Sequence, residues 1–570
     1  MLKLWSHLNK KNKILFVLTT FSSIIAAILE TQVLVTFIPL ITRLTSDTSK
    51  VDDNLPVQYN LLFKNLYSNN TSTEQVLLIF STLVIISAIL RLSFLYLASI
   101  NAASIGSQLS KLCFKSIIYT PYVNIIEEDT GKAVELLLGN IARTIKVILS
   151  CSVVISSSFL TAAIIYSLVI VDLKITIIFA SIISFCYLIL FKFVKLRLYN
   201  NGKIIFTSSQ SIISIGKETI YSIKDIIIKK LHLKYIDKFE NIDLKLRRKQ
   251  AESQFISLYP RYILEAVAIL LLTNIAYNLG KNDLNANILP KLGFFSLGFI
   301  RLLPAIQQIY SRISKIKTFL SSIEALNKAL IPKNEFRKLE LQNTLAAKPK
   351  ILIPNRNLIE AKKIIFKYPR SKKNIIDKIN IEIKEGLHYA IIGGSGTGKT
   401  TLLDLLLGIL DPDEGDIFFK GYNLKDSKLR NYYHEKIAYV PQTPIILNES
   451  IENNITLGKN SKLERNLLYK VIKSVKLENF IKTNGIDFFC GEDGINLSGG
   501  QKQRLAIARA LYSKKSILFL DECTSAIDNK TEEFILDEIR KYYKNKTVIS
   551  ITHNMNHLQR YDITINLENL

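Results

Sequence analysis

Four long, predominantly apolar runs, residues 14–42, 76–99, 147–171 and 175–194, decide what this chain can become. Each matches or exceeds the ~20 residues that a helix needs to cross a hydrocarbon layer about 30 Å thick. Inside lipid every backbone N–H and C=O must be satisfied within the protein, and for a single apolar run only a helix does this. Two weaker runs, 262–280 and 288–306, complete a set of six spans and so return both ends to one side. Beyond residue 325 the pattern changes to short apolar strands, glycine turns and charged helices. The expected organisation is an all-α membrane domain over 1–326, a polar, Lys-rich linker over 327–357 and a soluble α/β domain over 358–570. No internal repeat is visible, so one unit of each kind is expected.

Charge sets the orientation. Lys and Arg number 74 against 48 Asp and Glu, a net charge of +26. Such a balance fits nucleic-acid binding, but with membrane spans present it fits basic cytoplasmic loops better. The segment 195–258 is strongly basic, "HLNKKNK" at the start is basic, and loop 43–75 carries Asp47, Asp52, Asp53 and Glu74. The first two face the cytosol and the third faces out; nucleic acid is not an expected partner. Loops 100–146 and 195–260 are helix-patterned, so the membrane helices are expected to run on into the cytosol. Tyr59, Leu62, Phe63 and Leu66 share one helical face, predicting a short amphipathic helix on the outer surface. The opening "MLKLWSHLNKKNK" leads into a run too long for a signal-peptide core. The five cysteines contain no C-x-x-C pair, so neither a disulfide framework nor a zinc site is indicated.

The soluble half carries the chemistry. In "YAIIGGSGTGKTTLL" a strand meets a glycine loop and then a helix. Gly393, Gly396 and Gly398 let backbone N–H groups turn inward around phosphate oxygens at a helix N-terminus. Lys399 reaches the β- and γ-phosphates and the Thr400 hydroxyl takes a Mg²⁺ position. "SILFLDE" is a strand apolar on both faces, delivering Asp521 as a Mg²⁺ ligand and Glu522 as general base to the same edge. ATP and Mg²⁺ are therefore the expected small-molecule partners.

"LSGGQKQRLAIARAL" (497–511) makes the class plain: the chain resembles the ATP-binding-cassette (ABC) transporters. Six spans followed by one cassette resemble the exporter branch, a type IV half-transporter. The resemblance implies that Ser498, Gly500 and Gln501 close on the nucleotide held by a second subunit, hence a homodimer with two composite sites. It also implies that Tyr368 stacks on adenine, that Gly394, Ser395 and Thr401 join the phosphate loop, and that Gln442 touches Mg²⁺ and water. Asp528 would communicate across the dimer and His553 would contact the γ-phosphate. Departures are Asn554 and Met555 after the histidine, Cys523 after the acids, and Phe489 where an acid is usual. Hydrolysis at both sites is expected, since every catalytic position is intact.

The membrane half must select the substrate. Arg91, Arg261 and Arg301 fall in or beside apolar runs, where each costs roughly 2.5–3.5 kcal/mol at a helix centre. An arginine there faces a cavity or a partner, with Glu30 and Glu265 as the available acids. Guanidinium groups suit phosphate bidentately. Together with "YPRYILEAVAIL", "FIRLLPAIQQIYS", the outer-loop helix and "GINLSGGQKQR", they resemble the bacterial flippases of lipid-linked oligosaccharides used in protein glycosylation (PglK-type). That resemblance implies ATP-driven transfer of an undecaprenyl-pyrophosphate glycan to the outer leaflet of the bacterial inner membrane, with the three arginines meeting the pyrophosphate. The competing expectation is an exporter of another lipid, such as lipid A, or of a drug or peptide, whose arginines serve only as ion pairs.

Overall fold

The structure, a computed structural model, describes residues 2–45, 72–127, 130–282, 288–331, 357–371, 373–458 and 464–569. They form two compact units, one of residues 1–120 and 126–333, the other of residues 121–125 and 334–570.

The first unit is helical. Its six apolar runs lie on α1 (Lys10–Thr45), α2 (Thr73–Ile118), α3 (Ile141–Val171), α4 (Leu173–Tyr221), α5 (Pro260–Asn282) and α6 (Ile288–Thr318). Among the described residues five stretches are long and apolar enough to cross a membrane, and six when Leu173–Ile189 and Val194–Tyr221, bent by 43° across a short break, count as one span. All six expected apolar runs thus lie on helices, and α2 and α4 continue well beyond theirs, to Ile118 and Tyr221. Local chemistry sets the ends. Ser72 and Gln75 form a reciprocal capping box at the start of α2. Asp172 takes an extended conformation between α3 and α4, and its carboxylate accepts from the N–H groups of Lys174 and Ile175. Helix α6 continues through Pro304, which removes one backbone hydrogen bond. The outer amphipathic helix read at Tyr59–Leu66 lies outside the described residues.

The unit's packing is one-sided. Leu34, Leu168, Phe294, Phe295, Phe299 and Leu302 form a buried seam, with the Phe179 and Phe299 rings stacked at 3.5 Å between centroids. Leu78, Leu92, Leu188 and Ile269 stay exposed, as lipid-facing residues must. A polar node lies lower on α3: Arg143 donates to Glu135 (2.5 Å), Asn140 (3.1 Å) and Ser209 (2.8 Å).

The second unit holds two sheets. An antiparallel one, ordered β2-β1-β4-β5, comprises β1 (Asn357–Phe366), β2 (Ile376–Lys384), β4 (Glu414–Phe419) and β5 (Tyr422–Asn423). A parallel one, ordered β6-β7-β8-β3-β9, comprises β3 (His388–Ile392), β6 (Ile437–Val440), β7 (Ile517–Asp521), β8 (Thr547–Ile551) and β9 (Ile563–Asn566). Every residue of β3, β7 and β8 is buried, because helices cover both faces of a parallel sheet. Parallel strands end on a common edge, and that edge is where the loops carrying chemistry emerge.

Candidate functional site

Strand β3 opens into the glycine loop and helix α7 (Lys399–Leu406). Gly398 sits at φ +91° as the helix N-cap, and a Cβ there would lie 2.9 Å from Ile375. Only glycine lets the loop turn this tightly without strain. Lys399 is 6% exposed, and its Nζ donates to the carbonyl oxygens of Gly393 (2.9 Å) and Gly394 (2.7 Å). A buried ammonium whose hydrogen bonds go to neutral carbonyls is a site prepared for an anion. Ser395, Gly396 and Thr400 are exposed along the same turn, and the Thr401 hydroxyl lies 3.4 Å from the Tyr368 phenol. Tyr368 thus stands against the phosphate-loop helix, edge-on to Phe366.

Strand β7 delivers the acids. Asp521 is 3% exposed, and its Oδ1 has no hydrogen-bond partner. Burial foremost, then the neighbouring Glu522 charge, pushes its pKa up to about 6, while Lys399 pulls the other way. Asp404 on α7, 8% exposed, is likewise raised to about 6, by burial and then by Asp521. Two buried carboxyls side by side, one with an oxygen free of hydrogen bonds, form a donor set that suits a divalent cation. The residues therefore fit MgATP: Lys399 and the loop N–H groups for phosphates, Thr400 and Asp521 for the metal. Asp404 was not read from the sequence; nothing in "TTLLDLLLG" marks it except an acid among leucines facing the core.

Glu522 emerges past the strand at φ +42°, a left-handed conformation unusual for a non-glycine residue and typical of functional turns. Its Oε2 accepts from Gln442 Nε2 at 2.9 Å, and His553 Nε2 lies 2.7 Å from its Oε1. Gln442 follows β6 and His553 follows β8, so three strand ends converge on one carboxylate.

The signature segment sits apart from this group. Ser498 caps helix α8 (Gly499–Tyr512) through a reciprocal box with Gln501: Ser498 N donates to Gln501 Oε1 at 2.7 Å, and Gln501 N to Ser498 Oγ at 3.3 Å. A Cβ on Gly500 would meet the Ala526 carbonyl at 2.9 Å. Asp528 caps helix α9 (Asn529–Tyr542) by accepting from Thr531 N at 3.0 Å; the Thr531 hydroxyl first, then this N–H, hold its carboxyl below the usual range. Gln503, which sequence reading passed over, ties the two segments: it donates to Ser525 Oγ at 3.0 Å and accepts from Ala526 N at 2.9 Å. The departures also find places. Asn554 donates to Glu532, which also accepts from Thr524. Cys523 is buried with its thiol pushed up to about 12, so it packs as a small hydrophobe. Phe489 is exposed and bridges Ser450 through backbone.

In the membrane unit, Arg91 and Arg301 meet on one carboxylate. Arg91 Nη2 lies 2.7 Å from Glu30 Oε2, and Arg301 pairs with Glu30 Oε1. Glu30 is fully buried, whereas the Arg91 side chain is 47% exposed. Arg261 is not part of this cluster; it pairs with Glu265 one turn along its own helix, at 2.7 Å. Each of the three guanidinium groups thus has a carboxylate partner, and the two acids named from the sequence are the ones engaged.

Residues 376–525 match the family model described as ABC transporter. The whole chain superposes on a solved structure described as a bacterial Atm1-family ABC exporter with ATP bound, with a TM-score of 0.74 over 98% of this chain and 94% of that one, at 18% identity. The fold is therefore that of an ABC exporter, a helical membrane domain joined to an α/β ATP-binding cassette. Relatives include multidrug resistance protein 3 of Entamoeba histolytica, 31% identical over 50% of this chain and 22% of that one. The ATP-dependent lipid A-core flippase of Idiomarina loihiensis is 35% identical over 36% of each chain. That of Vibrio parahaemolyticus is 36% identical over 36% of this chain and 35% of its own. The matches thus span well under half the length of these relatives.

Proposed function

We propose that the chain is one half of a homodimeric, ATP-driven exporter of an amphipathic lipid or lipid-like molecule in a bacterial inner membrane. The observation that carries this reading is the convergence of Gln442 and His553 on Glu522, beside the buried Lys399 and Asp521.

MgATP bound there supplies an electrophilic γ-phosphoryl group, its charge offset by the metal. Lys399 and the loop N–H groups bind the phosphates, with Thr400 and Asp521 placed for the metal. Glu522 accepts a proton from the attacking water. Gln442 and His553 hold the two oxygens of that carboxylate, so its orientation is fixed before water arrives. Ser498, Gly500, Gln501 and Asp528 of one subunit face the nucleotide of the other. Closure is favoured because nucleotide binds the paired cassettes more tightly than the separated ones, and hydrolysis releases them.

Two observations bear on cargo. Relatives named as lipid A-core flippases and multidrug resistance proteins support an amphipathic lipid or drug. The narrower reading is a polyprenyl-pyrophosphate glycan, flipped outward for protein glycosylation. It assigns Arg91, Arg261 and Arg301 to the pyrophosphate, and each of the three is paired with a carboxylate. What still favours an anionic headgroup is the net +1 of Glu30, Arg91 and Arg301, with Arg91 half exposed. Reconstitution in liposomes tests both readings: ATP-dependent leaflet transfer is measured for a lipid A analogue, a polyprenyl-pyrophosphate glycan and a neutral fluorescent lipid. Transfer of none of them would refute the lipid reading, and transfer of the neutral lipid alone would refute an anionic headgroup.

A further inference from the structure

The peptide unit joining Gly393 to Gly394 is held at both ends by opposite charges. Its carbonyl oxygen, on Gly393, accepts from Lys399 Nζ at 2.9 Å. Its N–H, on Gly394, donates to Glu568 Oε1 at 2.8 Å. Carboxylate, peptide and ammonium therefore stand in a row, and an anion at the N–H end strengthens the carbonyl as an acceptor at the other.

The fold builds this contact from the far end of the cassette. Strand β9 runs parallel to β3 with Asn566 opposite Ile392, so both chains leave the sheet side by side. Leu567 is buried in the core below, and the Asn566 side chain accepts the Glu568 N–H at 3.1 Å. These two contacts aim the Glu568 side chain back over the loop, close enough that a Cβ on Gly394 would lie 2.9 Å from Oε1. A peptide between two glycines has no Cβ on either side to resist rotation. Lys399 and Thr397 hold the next carbonyl, on Gly394; at the N–H end of the Gly393–Gly394 peptide, Glu568 supplies the restraint against flipping.

We propose that Glu568 is a positioning residue for the nucleotide site, fixing the Gly393–Gly394 peptide so that Lys399 is aimed for phosphate. It acts through the loop, by its hydrogen bond with Gly394. The proposal rests on the reading of this loop as a nucleotide site. Its effect falls on binding: the loop must be ordered before phosphate arrives, whereas the proton of the attacking water goes to Glu522, just past β7.

The test uses the full-length protein in nanodiscs, measuring ATPase rate against ATP concentration for wild type, Glu568→Ala and Glu568→Gln, with Tm in the absence of nucleotide. Glu568→Ala is expected to raise KM for ATP by about 3–10-fold, the net worth of one ordinary hydrogen bond, with kcat falling less than twofold and Tm unchanged. Glu568→Gln, whose amide oxygen still accepts from Gly394, recovers most of the affinity. An unchanged KM in the alanine variant overturns the proposal. So does an equal rise in both variants accompanied by a lower Tm, which would make Glu568 an anchor of the chain end only. A wild-type protein that hydrolyses no ATP would instead sink the exporter reading, so the two failures are distinguishable.

Discussion

His553 Nε2 approaches Glu522 Oε1 to 2.7 Å, while the other oxygen of the same carboxylate is taken by Gln442. A general base gripped at both oxygens is oriented but not neutralised, and its role separates cleanly from nucleotide binding. Glu522→Gln is expected to lower ATPase kcat by about 10²–10⁴-fold, the range for removing a positioned base. ATP affinity should be retained, because Lys399 and the loop are untouched. Equilibrium binding of labelled ATP beside steady-state ATPase checks both; full turnover in the variant would remove Glu522 from the role.

The two raised carboxyls make a pH prediction with a definite sign. Asp404 and Asp521 titrate near 6 in the folded cassette against an ordinary value of 3.8. Between about pH 4 and 6 the folded state binds more protons than the unfolded one, so metal-free stability should decline as pH rises through that window. Mg²⁺ binding requires ionised Asp521, so Mg-dependent ATPase should fall as pH drops below about 6. Asp404→Asn removes one of the two raised carboxyls, and should make metal-free stability fall less steeply between about pH 4 and 6. An unchanged pH dependence of Tm would show that Asp404 does not titrate in that window.

Much of this was legible in the sequence, for a reason that also marks its limit. The six apolar runs, the glycine loop, the strand ending in Asp521 and Glu522, and the signature helix are each written in contiguous residues. Backbone rules suffice for such segments. The unread features join residues distant in the chain. Glu568 reaches Gly394 only because β9 pairs with β3, and Asp404 meets Asp521 only because α7 packs on β7. Gln503 lay in plain sight within "LSGGQKQR", but its partners, Ser525 and Ala526, lie on another loop. The intramembrane arginines were the hardest case. Sequence could say that each needed a cavity or an acid, but not which, and three-dimensional pairing supplied acids for all three.

Gln503 yields a prediction about the link between signature and neighbouring loop. It is buried, and its amide satisfies one hydroxyl and one backbone N–H. Gln503→Ala leaves Ala526 N without its acceptor, a cost of about 1–3 kcal/mol. A lower Tm is expected, together with ATPase reduced more than ATP binding, since the loss falls on the segment leading to Asp528. Gln503→Glu, which keeps an acceptor for Ala526, should recover stability better than alanine. Equal losses in the two variants would refute the hydrogen-bond account.

The Glu30 cluster makes the last prediction, and it ranks three variants. Glu30 is fully buried between two guanidinium groups, so Glu30→Ala strands two cations in the membrane unit at once. Breaking a buried ion pair by removing one partner costs about 3–5 kcal/mol, and here one deletion breaks two pairs. Arg301→Ala leaves Glu30 with Arg91, and Arg91→Ala leaves it with Arg301, so each keeps a neutral pair. Arg91, half exposed, has more access to water or lipid headgroups than Arg301, which is 25% exposed. Thermal stability in detergent should therefore fall most for Glu30→Ala, less for Arg301→Ala and least for Arg91→Ala. Substrate-stimulated ATPase, corrected for folded protein, then separates scaffold from anion binding. If the cluster only holds helices together, stimulation by an anionic lipid survives in Arg91→Ala. If its net charge receives a headgroup, that stimulation is lost while basal ATPase persists. A reversed stability order, with Arg91→Ala worst, would show that Glu30 is not the hub that the geometry describes.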